Sequence, residues 1–284
     1  MFKKKDTVQE PEYYNSATNQ PLLNYKVYNF SKKEEILYFS LAFIVGAAVA
    51  YLFYGGIGKD KYGDPTLFTH ICNVVIMIIV GFIAGMLFLP IRKEQILNKR
   101  KKELHKQFID LLDSLSASLS SGQNVPSAFI TAKNDLSLQY DEKAYIMQEV
   151  NVIIDGFNNN IAIETMLMDF GTRSGIVDIS NFGRVFETAY RKGGNIKDIV
   201  RNTHEILSTK SQIEMEIATK VASNKNEQNI MLVMPLVIIF MIKNMGGDFA
   251  NNFTTPSGLV FTTLGICMFV ASYFLGKKIL KIEV

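Results

Sequence analysis

The apolar positions of this 284-residue chain are bunched into four long runs rather than spread along its length. The runs cover about residues 36–55, 67–90, 229–245 and 258–276, two on each side of one polar block. A helix needs roughly 18 or more apolar residues to cross the hydrocarbon core of a bilayer. The pattern therefore predicts four transmembrane helices in a two-plus-two arrangement, with residues 91–228 forming a domain between them.

The polar block has the apolar periodicity of helices. Its first helix carries apolar residues at spacings of three and four, which is typical of one buried face; these residues are Phe108, Leu111, Leu112, Leu115 and Leu119. Helices are predicted at about 94–120, 124–134, 142–157, 161–173 and 178–191, with a last one from 195 into the third apolar run. No strand-like alternation appears. The predicted fold class is all-α, an antiparallel bundle of about six helices inserted between the second and third spans.

Small and capping residues mark the corners of this bundle. Ser121-Gly122 is a helix stop, and Asn124 with Pro126 starts the next helix. Asp178 is predicted to cap the fifth helix.

The most distinctive corner is Gly193-Gly194-Asn195, in which the asparagine is a good N-cap for the last helix. A tight helix–helix turn that needs a positive φ explains it, and contact with a partner is the alternative. The candidate corner or partner-contact residues are Gly122, Pro126, Glu187, Gly193, Gly194 and Asn195.

Small residues also recur inside the predicted spans. Gly81 and Gly85 form a G-x-x-x-G stripe along which helix backbones can approach closely, although small residues are common in membrane helices anyway. Gly46 lies in the first run, and Pro235 should kink or break the third. The candidate packing residues are Gly81, Gly85 and Pro235.

The distribution of Lys and Arg predicts the orientation in the membrane. Only Lys59, Lys61 and Lys243 of the 30 basic residues fall on one side of the proposed spans. Basic residues concentrate on the cytoplasmic side of membrane proteins. The N-terminal segment 1–35, the middle domain and the basic tail 277–284 are therefore predicted to be cytoplasmic, with Lys243 reaching the outer interface.

Composition and motifs argue against most kinds of catalytic and ligand-binding site. The net charge of +3 is too small to suggest a nucleic-acid partner, and both cysteines, Cys72 and Cys267, lie in apolar runs. No ionisable residue lies at mid-membrane, which argues against pumps, ion-coupled transporters and intramembrane proteases. No nucleotide-binding loop, metal-binding motif or nucleophile elbow is present. We therefore expect no catalytic residue, no cofactor and no metal.

The acidic residues of the middle domain are spread over several helices. Solvated faces and caps account for most of them, but one or two could meet in the fold and bind a cation or a basic partner. They are Asp110, Asp113, Glu164, Asp169, Asp178, Glu187 and Glu205.

Residues 90–284 resemble the F domain of type II secretion systems, the platform protein of secretion and type IV-like pilus machines. The first matching stretch is residues 108–122, followed by Val125-Pro126-Ser-Ala-Phe129. The second is residues 182–200, with the Gly-Gly-Asn corner, and the third is the long last helix with Phe253-Thr-Thr-Pro-Ser-Gly258 after it. GspF-type members usually carry the helical domain twice. One copy between two pairs of spans is similar to the Tad/Flp pilus branch, and the corner and the basic tail favour its TadB-like proteins.

The resemblance implies a non-enzymatic platform in the bacterial cytoplasmic membrane. It implies as partners a cytoplasmic assembly ATPase, a TadC-like sister protein and pilin subunits. Membrane lipid and a second copy of the chain are further expected partners. The alternatives are a four-span signalling receptor, whose outer loops would be too short for a sensor, and a four-span transporter, which would lack charges inside its spans.

Overall fold

The computed structural model describes residues 11–58, 64–245 and 252–280. Lys59, Lys61 and the last residues of the basic tail, 281–284, lie outside the described residues. The elements in chain order are β1 (Tyr13–Asn15), β2 (Pro21–Leu23), α1 (Lys32–Tyr54), α2 (Leu67–Ser120), α3 (Val125–Ser137), α4 (Tyr145–Asn158), α5 (Ile163–Ser174), α6 (Val177–Lys192), α7 (Ile196–Met245) and α8 (Pro256–Leu280).

The fold is all-α, and four of its helices are long and apolar enough to cross a membrane. These four are α1, α2, α7 and α8. The chain is thus a multi-pass membrane protein. It divides into two compact units, which we call the helical unit (Met1–Asn29 with Lys93–Ile213) and the span unit (Phe30–Arg92 with Glu214–Val284).

The core of the helical unit is built from the apolar faces that periodicity predicts. The face of α2 from Phe108 to Leu115 is buried, with Leu119 packed at its edge. The ring of Phe108 meets Phe170 of α5 and Phe182 of α6 edge-on, with centroids 6.1 and 5.5 Å away. Three helices thus converge on one aromatic cluster, an arrangement that adds to plain area burial.

The N-terminal segment contains structure that the sequence pattern did not predict. β1 and β2 form an antiparallel hairpin in which Tyr14 pairs with Leu22. Tyr25, just after it, is completely buried in the helical core, and its amide donates to the carbonyl oxygen of Arg173 at 3.0 Å. Strands of three residues are too short to show an alternating pattern. Part of the polar segment 1–35 therefore belongs to the core of the helical unit.

One detail of the predicted helices is wrong. Asp178 does not cap α6, because the N-cap is Ile176 and Asp178 already lies in the first turn. The apolar residues of α7 differ in burial. Val200 and Leu207 are buried, whereas Ile206 is 66% exposed.

In the span unit, α1 and α2 pack through small residues. Ala42, Gly46, Ala47 and Ala50 of α1 are buried, although most of the apolar side chains of the unit are exposed, as expected of side chains that face lipid. α1 begins with a capping box in which Ser31 and Glu34 satisfy each other's backbone amides.

Candidate functional site

The turn between α2 and α3 needs its glycine for conformation rather than for space. Gly122 has φ +91°, and a Cβ added there would meet no described atom within 4 Å. Asn124 caps α3 by accepting a hydrogen bond from the amide of Ser127 at 3.0 Å. Pro126 lies in the first turn of α3, where its missing N–H costs nothing. These residues shape a corner and bring no reactive groups together.

The α6–α7 corner is built in the same way but more tightly. Gly193 has φ +71° and ends α6 in the left-handed conformation. The amide of Gly194 donates to the carbonyl of Ala189 at 2.7 Å, and a Cβ on Gly194 would lie 3.0 Å from the Ala189 Cβ. Asn195 then starts α7 by accepting a hydrogen bond from the amide of Asp198 at 3.3 Å. The corner therefore holds the two helices close together.

Glu187 lies nearly two helical turns before Gly193 and is engaged within the chain. Its carboxylate is 3.2 Å from Arg191, which also approaches Glu164 at 3.6 Å. The second carboxylate oxygen of the buried Glu164 has no hydrogen-bond partner among the described residues. Glu187 and Glu164 thus share one arginine.

An open groove runs along the outer side of this corner. Its wall on α6 and its edge on α7 are lined by Arg184, Val185, Thr188, Ala189, Lys192 and Ile199. We call it the α6–α7 groove. Val185 is 51% exposed and directly follows Arg184. The groove combines an apolar floor with basic ends.

A buried charge centre joins the N-terminal segment to α4 and α5. Arg173 is 2% exposed and forms two bonds with Glu149, at 2.7 Å from Nη1 to Oε1 and 2.5 Å from Nη2 to Oε2. Its Nε donates to Asp169 at 2.7 Å. The hydroxyl of Tyr25 donates to Glu149 at 2.8 Å, and that of Tyr14 to Asp169 at 2.9 Å.

Electrostatics favours the protonated hydroxyls of Tyr14 and Tyr25 and the charged form of Arg173. Burial and the neighbouring Glu149 carboxylate raise the pKa of Tyr25 far above its usual range, so its hydroxyl remains a donor. Burial and the bond to Asp169 likewise raise the pKa of Tyr14. Burial by itself would lower the pKa of Arg173, but the bonds to Glu149 and Asp169 outweigh it and raise that pKa. The centre is a buried, hydrogen-bonded anchor around the charged Arg173.

The anchor was not predicted, although two charged residues at core positions of α4 and α5 indicate it. Glu149 lies on the apolar face of α4, between Ile146 and Val150. Arg173 lies on the apolar face of α5, about one turn after Phe170. Opposite charges at core positions of consecutive helices indicate a buried ion pair.

Several of the remaining acidic residues are paired within the chain. The hydroxyl of Tyr140 donates to Asp110 at 2.5 Å. Asp178 lies 3.0 Å from Nε2 of His105 and 3.2 Å from Nζ of Lys210, so it ties α6 to α2 and α7. Within the described parts of the chain, no group of three His, Cys, Asp or Glu side chains could hold a metal ion.

Two of the three predicted packing residues of the spans, Gly81 and Gly85, lie at close contacts between α1 and α2. A Cβ on Gly81 would come within 2.9 Å of the Phe43 ring, and one on Gly85 within 2.5 Å of the Phe39 ring. α7 continues through Pro235 without an interruption. Lys243 donates to the carbonyl oxygens of Phe53 and Gly55, both at 3.2 Å, and so neutralises the C-terminal end of α1.

No protein-family model, no curated protein and no solved structure matches this chain.

Proposed function

We propose that the protein is a platform of a type II secretion or type IV-like Tad/Flp pilus assembly machine in the bacterial cytoplasmic membrane. In this role it couples a cytoplasmic ATPase to pilin assembly or protein secretion, without catalysing a reaction itself. Its termini and helical unit lie in the cytoplasm. The proposal draws on the resemblance of residues 108–129 and 182–200 to the F domain and on one structural observation.

That observation is the continuity of two helices. α2 runs for 54 residues and α7 for 50, each joining span sequence to helical-unit sequence without a break. A helix rises 1.5 Å per residue, so each extends over roughly 75–80 Å. A helix transmits displacement better than a flexible loop, because backbone hydrogen bonds hold successive turns together; Pro90 in α2 and Pro235 in α7 each remove one such bond without ending the helix. Such a pair suits a protein that passes the movement of a cytoplasmic motor to subunits in the membrane.

Deletion of the gene tests the proposal first. Surface pili or secretion should be lost, and the tagged protein should co-purify with the assembly ATPase encoded near it. Intact pili and secretion in the deletion strain, or an ATPase that does not co-purify, would refute the proposal. Ion flux through the protein in liposomes would instead support the transport alternative.

The coupling role has a sharper test. Insertion of Gly-Gly-Ser after Asn98, within α2, should abolish assembly because it interrupts the helix, while the protein should still insert in the membrane and bind the ATPase. The same insertion after Asp141, in the exposed connection before α4, is the matched control and should leave assembly intact. Normal assembly after the α2 insertion would contradict a mechanical role for that helix.

A further inference from the structure

The α6–α7 groove carries positive charge that no carboxylate of the described residues neutralises. Arg184 and Lys192 are exposed, and neither has a carboxylate partner among the described residues. The nearby acidic side chains are engaged elsewhere. Glu187 pairs with Arg191 at 3.2 Å, and Asp198 pairs with Arg201 at 3.0 Å.

Between the two cations the groove is apolar. Val185 and Ala189 follow each other by one helical turn on α6, and Ile199 faces them from α7. An exposed apolar strip with a polar rim is typical of a protein-binding surface. The only hydroxyl in the lining, that of Thr188, donates to the backbone carbonyl of Arg184 at 2.9 Å.

The walls of the groove are held in place by packing. Phe186, directly after Val185, is buried and stacks on Tyr190 with ring centroids 5.6 Å apart. The close approach of Gly194 to Ala189 fixes the start of α7 against the end of α6. A preformed surface loses little conformational entropy when a partner binds.

We infer that the α6–α7 groove binds an acidic amphipathic helix of a partner protein. Arg184 and Lys192 are eight residues apart on α6, which places their Cα atoms about 12 Å apart along the helix axis. The partner helix presents two carboxylates about two turns apart, one for each cation, and apolar side chains between them for Val185, Ala189 and Ile199. The inference uses this surface alone and does not rest on the proposed function.

An anionic lipid headgroup could also neutralise these cations, but the apolar floor between them favours a protein helix. A headgroup offers charge without an ordered apolar face of matching spacing. The two occupants differ in a measurable way, because lipid shields the groove only when the bilayer carries anionic headgroups.

The test uses the full chain in nanodiscs of zwitterionic lipid. The probe is a fluorescein-labelled helical peptide with leucines on one face and two glutamates seven residues apart beside them; its counterpart carries lysines in place of the glutamates. Fluorescence anisotropy should show binding of the glutamate peptide only. R184E/K192E should weaken that binding by about tenfold or more and bind the lysine peptide instead, because two attractive pairs become repulsive.

The matched control is K133E/K143E, which makes the same change in net charge on α3 and the connection before α4. It should leave binding of the glutamate peptide unchanged. Equal affinity for the two peptides, or an equal loss in both double variants, would overturn the inference. So would slower maleimide labelling of V185C in nanodiscs that contain phosphatidylglycerol, since that result assigns the groove to lipid.

Discussion

At the scale of single residues, the ion pairs of the buried charge centre are costly to break. Arg173 has no access to water, and its two carboxylate partners replace the hydration that it loses on folding. Taking an ion out of water costs several kcal/mol, and removing one partner of a buried pair costs about 3–5 kcal/mol, because the other charge remains uncompensated. The centre therefore makes the helical unit depend on residues far apart in sequence.

Arg173→Met should strongly destabilise the protein, because it leaves Glu149 buried without its cation. We expect a loss of about 3–5 kcal/mol, whereas Arg201→Met, which breaks the exposed pair with Asp198, should cost less than about 1 kcal/mol. Urea unfolding of the detergent-purified protein, followed by circular dichroism, measures both. The double variant E149L/R173M should be more stable than Arg173→Met alone. Equal effects of the buried and exposed substitutions would contradict this account.

The tyrosine in the centre predicts a dependence on alkaline pH. The pKa of Tyr25 is raised in the folded protein, so its stabilising hydrogen bond is fully present below about pH 10, the pKa of an unfolded tyrosine. As pH rises further, the unfolded state loses this proton and the folded state keeps it, so stability falls by up to about 1.4 kcal/mol per pH unit. Tyr25→Phe should be less stable at pH 8 and should show a smaller loss between pH 9 and pH 11. If the free energies of unfolding of the two proteins fell equally with pH, the proton of Tyr25 would not contribute to the pH dependence of stability.

At the scale of helices and turns, the three-residue corner between α6 and α7 is defined by backbone conformation. Gly193 has φ +71° and open space where a side chain would lie. Gly193→Ala should therefore cost about 1–2 kcal/mol through backbone strain alone. Gly193→Asn should cost less, since asparagine tolerates this conformation. Thermal melts of both variants make the comparison, and an asparagine variant no better than the alanine variant would point to a steric requirement instead.

The contact between α1 and α2 depends on space rather than on conformation. A Cβ on Gly46 would lie 2.6 Å from the Ala84 Cβ and 3.2 Å from the Gly81 backbone, so Gly46→Leu should separate the helices and cost about 1–3 kcal/mol. Gly265→Leu in α8 is the matched control, because no described atom lies within 4 Å of a Cβ there. Thermal stability in the same detergent should fall for the first variant alone. An equal loss in both would mean that leucine disturbs these spans regardless of packing.

The helices could be predicted from sequence more fully than their contacts. Periodicity and capping residues located α3 to α6 within a few residues, because each helix carries its own apolar face and its own stop. The hairpin β1–β2 could not be found in this way, since its stability comes from Tyr14 and Tyr25 bonding to residues well over a hundred positions away. Asp178 is a residue type that often caps helices, but it lies in the first turn of α6, where its carboxylate approaches His105 and Lys210.

At the scale of the whole molecule, the chain has four apolar helices, and two of them, α2 and α7, continue into the helical unit. α1, α2, α7 and α8 expose apolar side chains over most of their spans, which only lipid or other membrane segments can cover. The helical unit, by contrast, buries its own core and exposes charged faces, including the α6–α7 groove. The protein thus combines a membrane part without mid-span charges and a helical unit with a core of its own.

The orientation of these parts is the prediction on which the proposed function depends. The helical unit can meet a cytoplasmic motor only if it lies on the cytoplasmic side, which is the side that the concentration of Lys and Arg predicts for it. With Cys72 and Cys267 replaced by serine, the exposed positions Asp64, Ser257 and Ser137 can each carry a single cysteine. A membrane-impermeant maleimide should label Asp64→Cys and Ser257→Cys in intact spheroplasts, and Ser137→Cys only after lysis. Labelling of Ser137→Cys in intact spheroplasts would place the helical unit outside and exclude any cytoplasmic ATPase as its partner.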